Sequence, residues 1–136
     1  MLFRSPAIAD DGGGGAIVVW QDNRNGNADI YAQHIAADST KLWAPNGIIV
    51  CNEAHEQTSP AIIRDNLGGV IIVWQDYRNG NSDIFAQHID AGGTPTWASN
   101  GLSICDTAND QVNPMLVKDN AGGAIITWQE IGRAHV

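Results

Sequence analysis

The sequence predicts an all-β protein, an incomplete β-propeller of about two and a third four-stranded antiparallel blades. Three observations predict this fold class: a gapless 54-residue repeat, four short strand patterns in each repeat, and no window with a convincing helical period. Gly accounts for 15 of the 136 residues and Pro for 5, which is too frequent for long helices. A tandem β-sandwich or another β-repeat is the alternative, although a sandwich does not need a gapless period.

The repeat is marked by residues that recur at intervals of 54 positions. They include three tryptophans and three dipeptides that end in proline: Trp20, Trp74, Trp128, Ser5-Pro6, Ser59-Pro60 and Asn113-Pro114. Roughly 31 of 54 positions are identical between the first two copies, residues 5–58 and 59–112. We therefore predict one blade over 5–58, a second over 59–112 and the start of a third over 113–129.

Each unit is predicted to contain four strands separated by turns, and the second copy shows them in order. Residues 59–64 form a short apolar run opened by Pro60, a residue tolerated at the start of a strand. Residues 70–74 are β-branched and aromatic, which is typical of a strand buried on both faces. Asn79-Gly80 is a hairpin signal before a third strand over 83–89. A turn rich in Gly then leads to a fourth strand over 102–105, apolar at alternate positions.

A group of polar residues occupies the loop between the second and third strands of each copy. We predict a structural role in the hairpin for these residues: Asp22, Arg24, Asn25, Gly26, Asp29, Asp76, Arg78, Asn79, Gly80 and Asp83. The arginine lies between two carboxylates along the chain, where it can form bidentate hydrogen bonds that fix the loop. A calcium loop and direct contact with a ligand are the alternatives. Carboxylates are hard oxygen ligands for calcium, but Arg24 stands where such a loop needs a ligand.

This segment resembles the W-x-D-x-R-x-G-x-x-D-I-Y repeat of TolB-like β-propellers, in the form found in large secreted or surface proteins of bacteria. The residues that carry the resemblance run from Val19 to Gln33 and again from Trp74 to Gln87. The resemblance implies a propeller, outside the cell or at its surface, whose innermost strand starts at the dipeptide that ends in proline. Closed propellers have about four to eight blades, so we expect a fragment whose partners include the remaining blades of its parent chain. Uncovered sheet faces and strand edges in such a fragment favour self-association.

The final segment, residues 130–136, departs from the repeat. After Gln129 the pattern requires Asp and then Arg-Asn-Gly, but the chain has Glu130 and a different continuation. The string from Ile131 to Val136 resembles the translation of a sequencing adapter read through from truncated DNA. We therefore interpret 130–136 as an artefact, with natural divergence of the last copy as the alternative.

The tryptophans fall into two sets. Trp20, Trp74 and Trp128 end the buried second strand, so we expect them in the core. Trp43 and Trp97 precede the fourth strand, and we expect them in the core as well. The alternative is an exposed rim position, where they are candidate ligand-stacking residues because a flat indole could stack on a sugar.

Duplication also bears on chemistry, because every polar residue singled out above recurs in the next copy. Repetition favours scaffold roles or multivalent binding over a single catalytic centre, so we expect no catalytic residue, metal site or cofactor. Cys51 and Cys105 occupy equivalent positions on consecutive blades. Stacked sheets lie ~10 Å apart, which is too far for a disulfide, so we predict two free thiols.

Charge and hydropathy exclude further classes. The chain has 15 acidic and 7 basic residues and a formal net charge of −8, and it lacks the Lys/Arg cluster of a nucleic-acid-binding protein. No stretch reaches the ~18 apolar residues of a membrane span, and no signal peptide is visible in this sequence.

The expected function is that of a non-enzymatic binding or structural module from an extracellular β-propeller, with an unknown protein or carbohydrate as ligand. One rival is part of a glycan-active, sialidase-like propeller enzyme, which would need arginines and an acid converging from different blades. The other is a peptidase-associated propeller whose catalytic domain is not in this sequence.

Overall fold

The computed structural model describes residues 3–131, which form ten β-strands and no helix. The strands are β1 (Phe3–Asp10), β2 (Ala16–Asp22), β3 (Asp29–Ile35), β4 (Ile48–Cys51), β5 (Gln57–Arg64), β6 (Val70–Asp76), β7 (Asp83–Ile89), β8 (Leu102–Cys105), β9 (Asp110–Lys118) and β10 (Ala124–Ile131). Neighbouring strands pair antiparallel throughout. The prediction of an all-β protein is confirmed.

Three sheets follow the sequence repeat. The first sheet has the strand order β1-β2-β3-β4, the second sheet has the order β5-β6-β7-β8, and the third sheet contains β9 and β10. Equivalent residues take equivalent places in the ladders: Trp20 pairs with Tyr31, and Trp74 pairs with Phe85. Each full copy of the repeat therefore forms one four-stranded antiparallel sheet.

The strands of the second sheet extend slightly beyond the runs predicted from sequence. β6 continues to Asp76, which pairs with Asp83 on β7. β5 begins at Gln57, ahead of the Pro dipeptide, because Gln57 also pairs with Asp76. A bulge in β5 then accommodates Ser59, whose φ is 54°. Polar residues at both strand ends thus join the ladder, although the apolar pattern alone ends before them.

The bulge couples neighbouring sheets. The main-chain N–H of Ser59 donates a hydrogen bond of 2.9 Å to Oε1 of Gln21 in the first sheet. One repeat later, the main-chain N–H of Asn113 donates a hydrogen bond of 2.9 Å to Oε1 of Gln75 in the second sheet. β1 lies beside β5 and β5 beside β9. The sheets therefore succeed one another in register, joined along their first strands.

A hydrophobic core fills the space between the first and second sheets. Its buried residues are Ile17, Val19, Ile30, Ala32, Trp43, Val50 and Cys51 of the first copy and Val70, Ile72, Trp74, Phe85 and Ile89 of the second. Side chains alternate along a strand, so Ile71 and Val73 lie on the opposite side of the second sheet, where they are 1% and 0% exposed. The third sheet lies on that side, with β9 beside β5, β6 and β7. The second sheet is therefore buried on both faces, as predicted for residues 70–74.

The three equivalent tryptophans differ in burial. Trp20 and Trp74 are 8% and 0% exposed and lie in the interior as expected, whereas Trp128 is 38% exposed. In the first two sheets the tryptophan pairs with an aromatic residue on the following strand, Tyr31 or Phe85. Within residues 3–131 the third sheet has two strands, and β10 is its outer edge. The expectation that Trp128 belongs to the core is corrected for this reason.

The three sheets do not close into a ring within residues 3–131, so the propeller remains a prediction. β10 includes Glu130 and Ile131, the first two residues of the segment interpreted as an artefact. The rest of that segment, 132–136, lies outside the described residues.

Candidate functional site

The hairpin between β2 and β3 is organised around the buried carboxylate of Asp22. Arg24 donates to it through Nε at 2.9 Å and Nη2 at 2.7 Å, and Trp20 donates through Nε1 at 2.8 Å. The hydrogen bond from Arg24 lowers the pKa of Asp22 to about 2, against the opposing effect of burial. This is the bidentate geometry predicted for the arginine.

The hairpin between β6 and β7 repeats the arrangement. Arg78 donates to Asp76 through Nε at 2.8 Å and Nη2 at 2.7 Å, and Trp74 donates through Nε1 at 2.9 Å. Nη2 of Arg78 also donates to the carbonyl oxygen of Asn100 at 2.7 Å. The guanidinium lies 3.9 Å from the centre of the Phe85 ring, within the range of a cation–π contact. Arg24 lies at the same distance, 3.9 Å, from the centre of the Tyr31 ring, so both guanidinium groups donate hydrogen bonds in their plane and contact an aromatic ring with their face.

The second acidic residue of each hairpin is held by asparagine rather than arginine. Asn25 and Asn27 donate to Asp29 at 3.1 and 3.2 Å. One repeat later, Asp83 accepts bonds of 2.9 and 3.1 Å from Asn79 and Asn81. Burial raises the pKa of Asp29 and of Asp83 despite these bonds. The arginine thus binds one of the two carboxylates between which the sequence places it.

The turn glycines of both hairpins close the loop. Gly26 and Gly80 have φ values of 101° and 96°, and their N–H groups donate to the carbonyl oxygens of Asn23 and Tyr77. Within residues 3–131, no group of three or more His, Cys, Asp or Glu side chains is placed to hold a metal ion. All ten hairpin residues named from the sequence lie in these two loops and their flanking strands.

Sequence reasoning missed a histidine arrangement that differs between the copies. His88 Nε2 lies 2.7 Å from Asp65 Oδ2, and His88 Nδ1 lies 2.6 Å from the hydroxyl of Thr96. Hydroxyl, imidazole and buried carboxylate are the components of a nucleophilic triad. The first copy has the same pair, His34 and Asp11 at 2.8 Å, but Leu42 stands in the place of the threonine.

The shared part of this arrangement has a structural explanation. Asp65 accepts main-chain hydrogen bonds from Leu67 and Gly69, so the His88–Asp65 pair ties the β5–β6 turn to β7. Burial opposes ionisation of Asp65, but the bonds from His88 and these amides outweigh it and lower the pKa of Asp65. Because the His–Asp pair recurs in the first copy without a hydroxyl partner, its shared role is to hold the turn in place.

The two candidate ligand-stacking tryptophans are in different environments. Trp43 is 8% exposed, belongs to the core between the sheets, and donates from Nε1 to the carbonyl oxygen of Ala91 at 3.3 Å. The alternative of a rim position is therefore excluded for Trp43, because the turn of the second sheet covers its indole. Trp97 has the exposed indole that such a role requires, at 38%.

Trp97 lines a groove of about 390 Å³ at the junction of the two four-stranded sheets. We call it the Trp97 groove; its lining residues are Ile49, Val50, Asn52, Pro95, Trp97, Ser99 and Asn100. Asn100 bridges the sheets across it, because its Oδ1 accepts a 3.0 Å hydrogen bond from the N–H of Asn52. The groove therefore combines one aromatic face with amide and hydroxyl groups.

The segment that carries Trp97 is held by a buried glutamine. Oε1 of Gln87 accepts from the N–H of Trp97 at 2.9 Å, and Nε2 of Gln87 donates to the carbonyl oxygen of Ala98 at 2.7 Å. Gln87 is 0% exposed. Gln87 thus holds the main chain next to the indole in place, which preorganises the groove.

Both cysteines are free thiols, as predicted, but their environments differ. Cys51 is buried, and that burial raises the pKa of its thiol to about 12. Cys105 is half-buried. The Cys51 thiol is therefore a packing group of the interior and a poor nucleophile.

Comparison of the chain with protein-family models and with curated proteins finds no match. The described residues contain no helix that is long and apolar enough to cross a membrane.

Proposed function

We propose that this chain is part of an extracellular β-propeller that serves as a non-enzymatic binding and structural module, with the Trp97 groove as its ligand contact. The observation that carries the proposal is the exposed, anchored indole of Trp97 beside polar groups of two consecutive sheets. The propeller is supported by equivalent sheets stacked in series along their first strands. The extracellular location rests on the resemblance to TolB-like repeats of secreted and surface proteins.

A carbohydrate is the ligand class that fits this groove best. Sugar rings present apolar C–H faces that stack on an indole, and hydroxyl groups that need hydrogen-bond partners around it. Asn52, Ser99 and Asn100 provide amide and hydroxyl groups beside Trp97. The rigid attachment of the Trp97 segment through Gln87 reduces the ordering cost of binding.

A scaffold role is favoured over catalysis by how the charged groups are used. Arg24 and Arg78, two of the three arginines at positions 5–129, are each engaged by a carboxylate of their own hairpin. A sialidase-like site needs arginines that converge on a substrate from different blades. Thr96 supplies the hydroxyl of the histidine arrangement that differs between the two copies. Its partner His88 already holds the β5–β6 turn in place through Asp65.

The proposal is tested by glycan-array screening of the purified chain, followed by calorimetric titration of the oligosaccharides that bind. Trp97→Ala is expected to weaken binding at least tenfold, because it removes the stacking face. Trp128→Ala is the matched control, since Trp128 is equally exposed at 38% but lies on the third sheet. Circular dichroism establishes that both variants keep the β-fold.

Binding with unchanged affinity in Trp97→Ala would contradict the assignment of the groove. Absence of binding to every oligosaccharide on the array would contradict the carbohydrate as ligand. Loss of affinity in Trp97→Ala with retention in Trp128→Ala would support both.

A further inference from the structure

Two sheet faces at opposite ends of the described chain remain uncovered. We call the outer face of the first sheet the leading face; it carries Pro6, Ile8, Val18 and Ile35. We call the outer face of the third sheet the trailing face; it carries Met115, Val117, Ile125 and Thr127. The repeat relates each of these faces to a face that is covered inside the same chain.

The leading face is equivalent to the buried face of the second sheet. Ile72 of the second sheet is 0% exposed beneath the first sheet, and its equivalent Val18 is half-buried. Ile62 packs against the core, whereas its equivalent Ile8 is 67% exposed. The leading face is also concave: a groove of about 360 Å³ is lined by Pro6, Val18, Trp20, Gln33 and Ile35.

The trailing face is equivalent to the side of the second sheet that the third sheet covers. Ile71 is 1% exposed there, and its equivalent Ile125 is 55% exposed. Val117 and Met115, on the paired strand, are 60% and 68% exposed. Exposed aliphatic groups at positions that are covered elsewhere in the chain indicate an interaction surface.

The trailing face of one copy fits the leading face of another in the way that equivalent sheet faces fit each other at the two internal interfaces. In each internal interface, a face equivalent to the trailing face lies against a face equivalent to the leading face. The charges at one set of equivalent positions are complementary in this contact as well. Arg64 of the second sheet pairs with Asp10 of the first, and Lys118 holds the equivalent position in the third. A third sheet seated on the first sheet of another copy therefore places Lys118 beside Asp10 of that copy.

The inter-sheet hydrogen bond provides a further match. Gln21 and Gln75 each accept a main-chain N–H from the following sheet, from Ser59 and Asn113. Their equivalent in the third sheet is Gln129, and the residue equivalent to Ser59 in the first sheet is Ser5. In a continued stack, Oε1 of Gln129 accepts the N–H of Ser5 from another copy.

We infer that copies of this chain associate head to tail, with the trailing face of one copy seated on the leading face of the next. The inference goes beyond the proposed ligand and does not rest on the Trp97 groove. The contact is heterologous, so each copy uses two different surfaces, and association continues into a ring or an open filament.

Sedimentation velocity over a range of concentrations tests this inference through two variants that block one face each. Val18→Arg places a charge on the leading face, and Ile125→Arg places one on the trailing face. Wild type is expected to form dimers and larger species, and each variant alone is expected to show at least tenfold weaker association. An equimolar mixture is expected to form a one-to-one heterodimer and nothing larger, because it contains one intact face of each kind.

Leu67→Arg is the control, because Leu67 is 81% exposed in the β5–β6 turn, and it is expected to associate as wild type does. Circular dichroism identifies a variant that does not fold, in which case Ile8→Arg replaces Val18→Arg and Val117→Arg replaces Ile125→Arg. A wild-type chain that stays monomeric at all concentrations overturns the inference. Self-association of a single folded variant with wild-type strength, or a mixture without heterodimer, overturns it equally.

Discussion

At the scale of single residues, Arg78 connects groups that lie far apart in the sequence. Its guanidinium donates two hydrogen bonds to Asp76, one to the carbonyl oxygen of Asn100 and one to Sγ of Cys51, and its face contacts the Phe85 ring. Its main-chain N–H donates a further hydrogen bond to Asp76. The carboxylate of Asp76 is buried, so its negative charge needs the donors Arg78 and Trp74 in the folded state. A planar guanidinium can donate hydrogen bonds to the carboxylate within its own plane and contact the aromatic ring with its face, which an ammonium cannot do.

Replacement of Arg78 by lysine is therefore expected to destabilise the protein although the charge is kept. We expect Arg78→Lys to lower the free energy of unfolding by about 1–2 kcal/mol, because the buried carboxylate of Asp76 loses one of the two hydrogen bonds that the guanidinium donates. Urea denaturation followed by tryptophan fluorescence measures the change.

Arg64→Lys is the matched control for this prediction. Arg64 also pairs with an aspartate, but Asp10 is exposed, and exposed pairs contribute only ~0–1 kcal/mol. An equal loss in both variants would show that the fork geometry at Asp76 is not what stabilises the hairpin.

At the scale of elements, the first two sheets interlock through a tryptophan and a turn. The indole of Trp43 lies against Gly93 in the turn that follows β7, where an added Cβ would approach the ring to 2.8 Å. Gly93 also has a φ of 87°, which L-residues rarely adopt. The turn therefore fits against the neighbouring sheet only with glycine at this position.

Gly93→Ala is expected to destabilise the protein more than Gly80→Ala. Both glycines have positive φ, which costs about 1–2 kcal/mol for alanine, but an added Cβ at Gly80 meets nothing within 4 Å. The clash with Trp43 is expected to add about 1–3 kcal/mol for Gly93 alone. Thermal unfolding of the two variants measures the difference, and equal melting temperatures would show that the turn moves freely away from the indole.

Much of the element structure could be predicted from sequence, because each strand has a local signal. The β-branched run over 70–74 and the Asn79-Gly80 turn determine a buried strand and a hairpin without reference to neighbours. The difference in burial between Trp43 and Trp97 could not be predicted in this way. Trp43 and Trp97 are equivalent in sequence, but the turn around Gly93 covers Trp43, and no equivalent turn within residues 3–131 covers Trp97.

The candidate site shows the same division between local and long-range information. The bond between Arg24 and Asp22 spans two residues and follows from their spacing. The Trp97 groove needs Asn52 and Asn100 to meet across two sheets, and no local pattern brings them together. The contact of Thr96 with His88 also depends on how the main chain turns between β7 and β8.

At the scale of the whole molecule, burial decreases from the second sheet towards the third. β6 is buried along its whole length, whereas most side chains of β10 are exposed. Equivalent positions such as Ile72 and Ile126 therefore have the same side chain and similar strand pairing, but Ile72 is buried and Ile126 is half-buried. Opening of the third sheet alone exposes less apolar surface than opening of the second.

Hydrogen exchange is expected to follow this order. Amides of β10 should exchange at least tenfold faster than the equivalent amides of β6, because local opening is sufficient for β10. Mass spectrometry or NMR measures the rates, at a protein concentration where the chain is monomeric, so that docking does not protect β10. Equal protection of both strands would indicate that the third sheet unfolds only together with the rest of the molecule.

The link from Ser59 to Gln21 has a consequence for how such a chain can vary. It uses the main-chain N–H of the following sheet, and the same link is made by Asn113 one repeat later, so the side chain at this position does not take part. Ser5, Ser59 and Asn113 are exposed and line one shared hollow of about 340 Å³. Mutation can therefore change the chemistry of that hollow, among residues that tolerate positive φ, while the attachment between sheets is left intact.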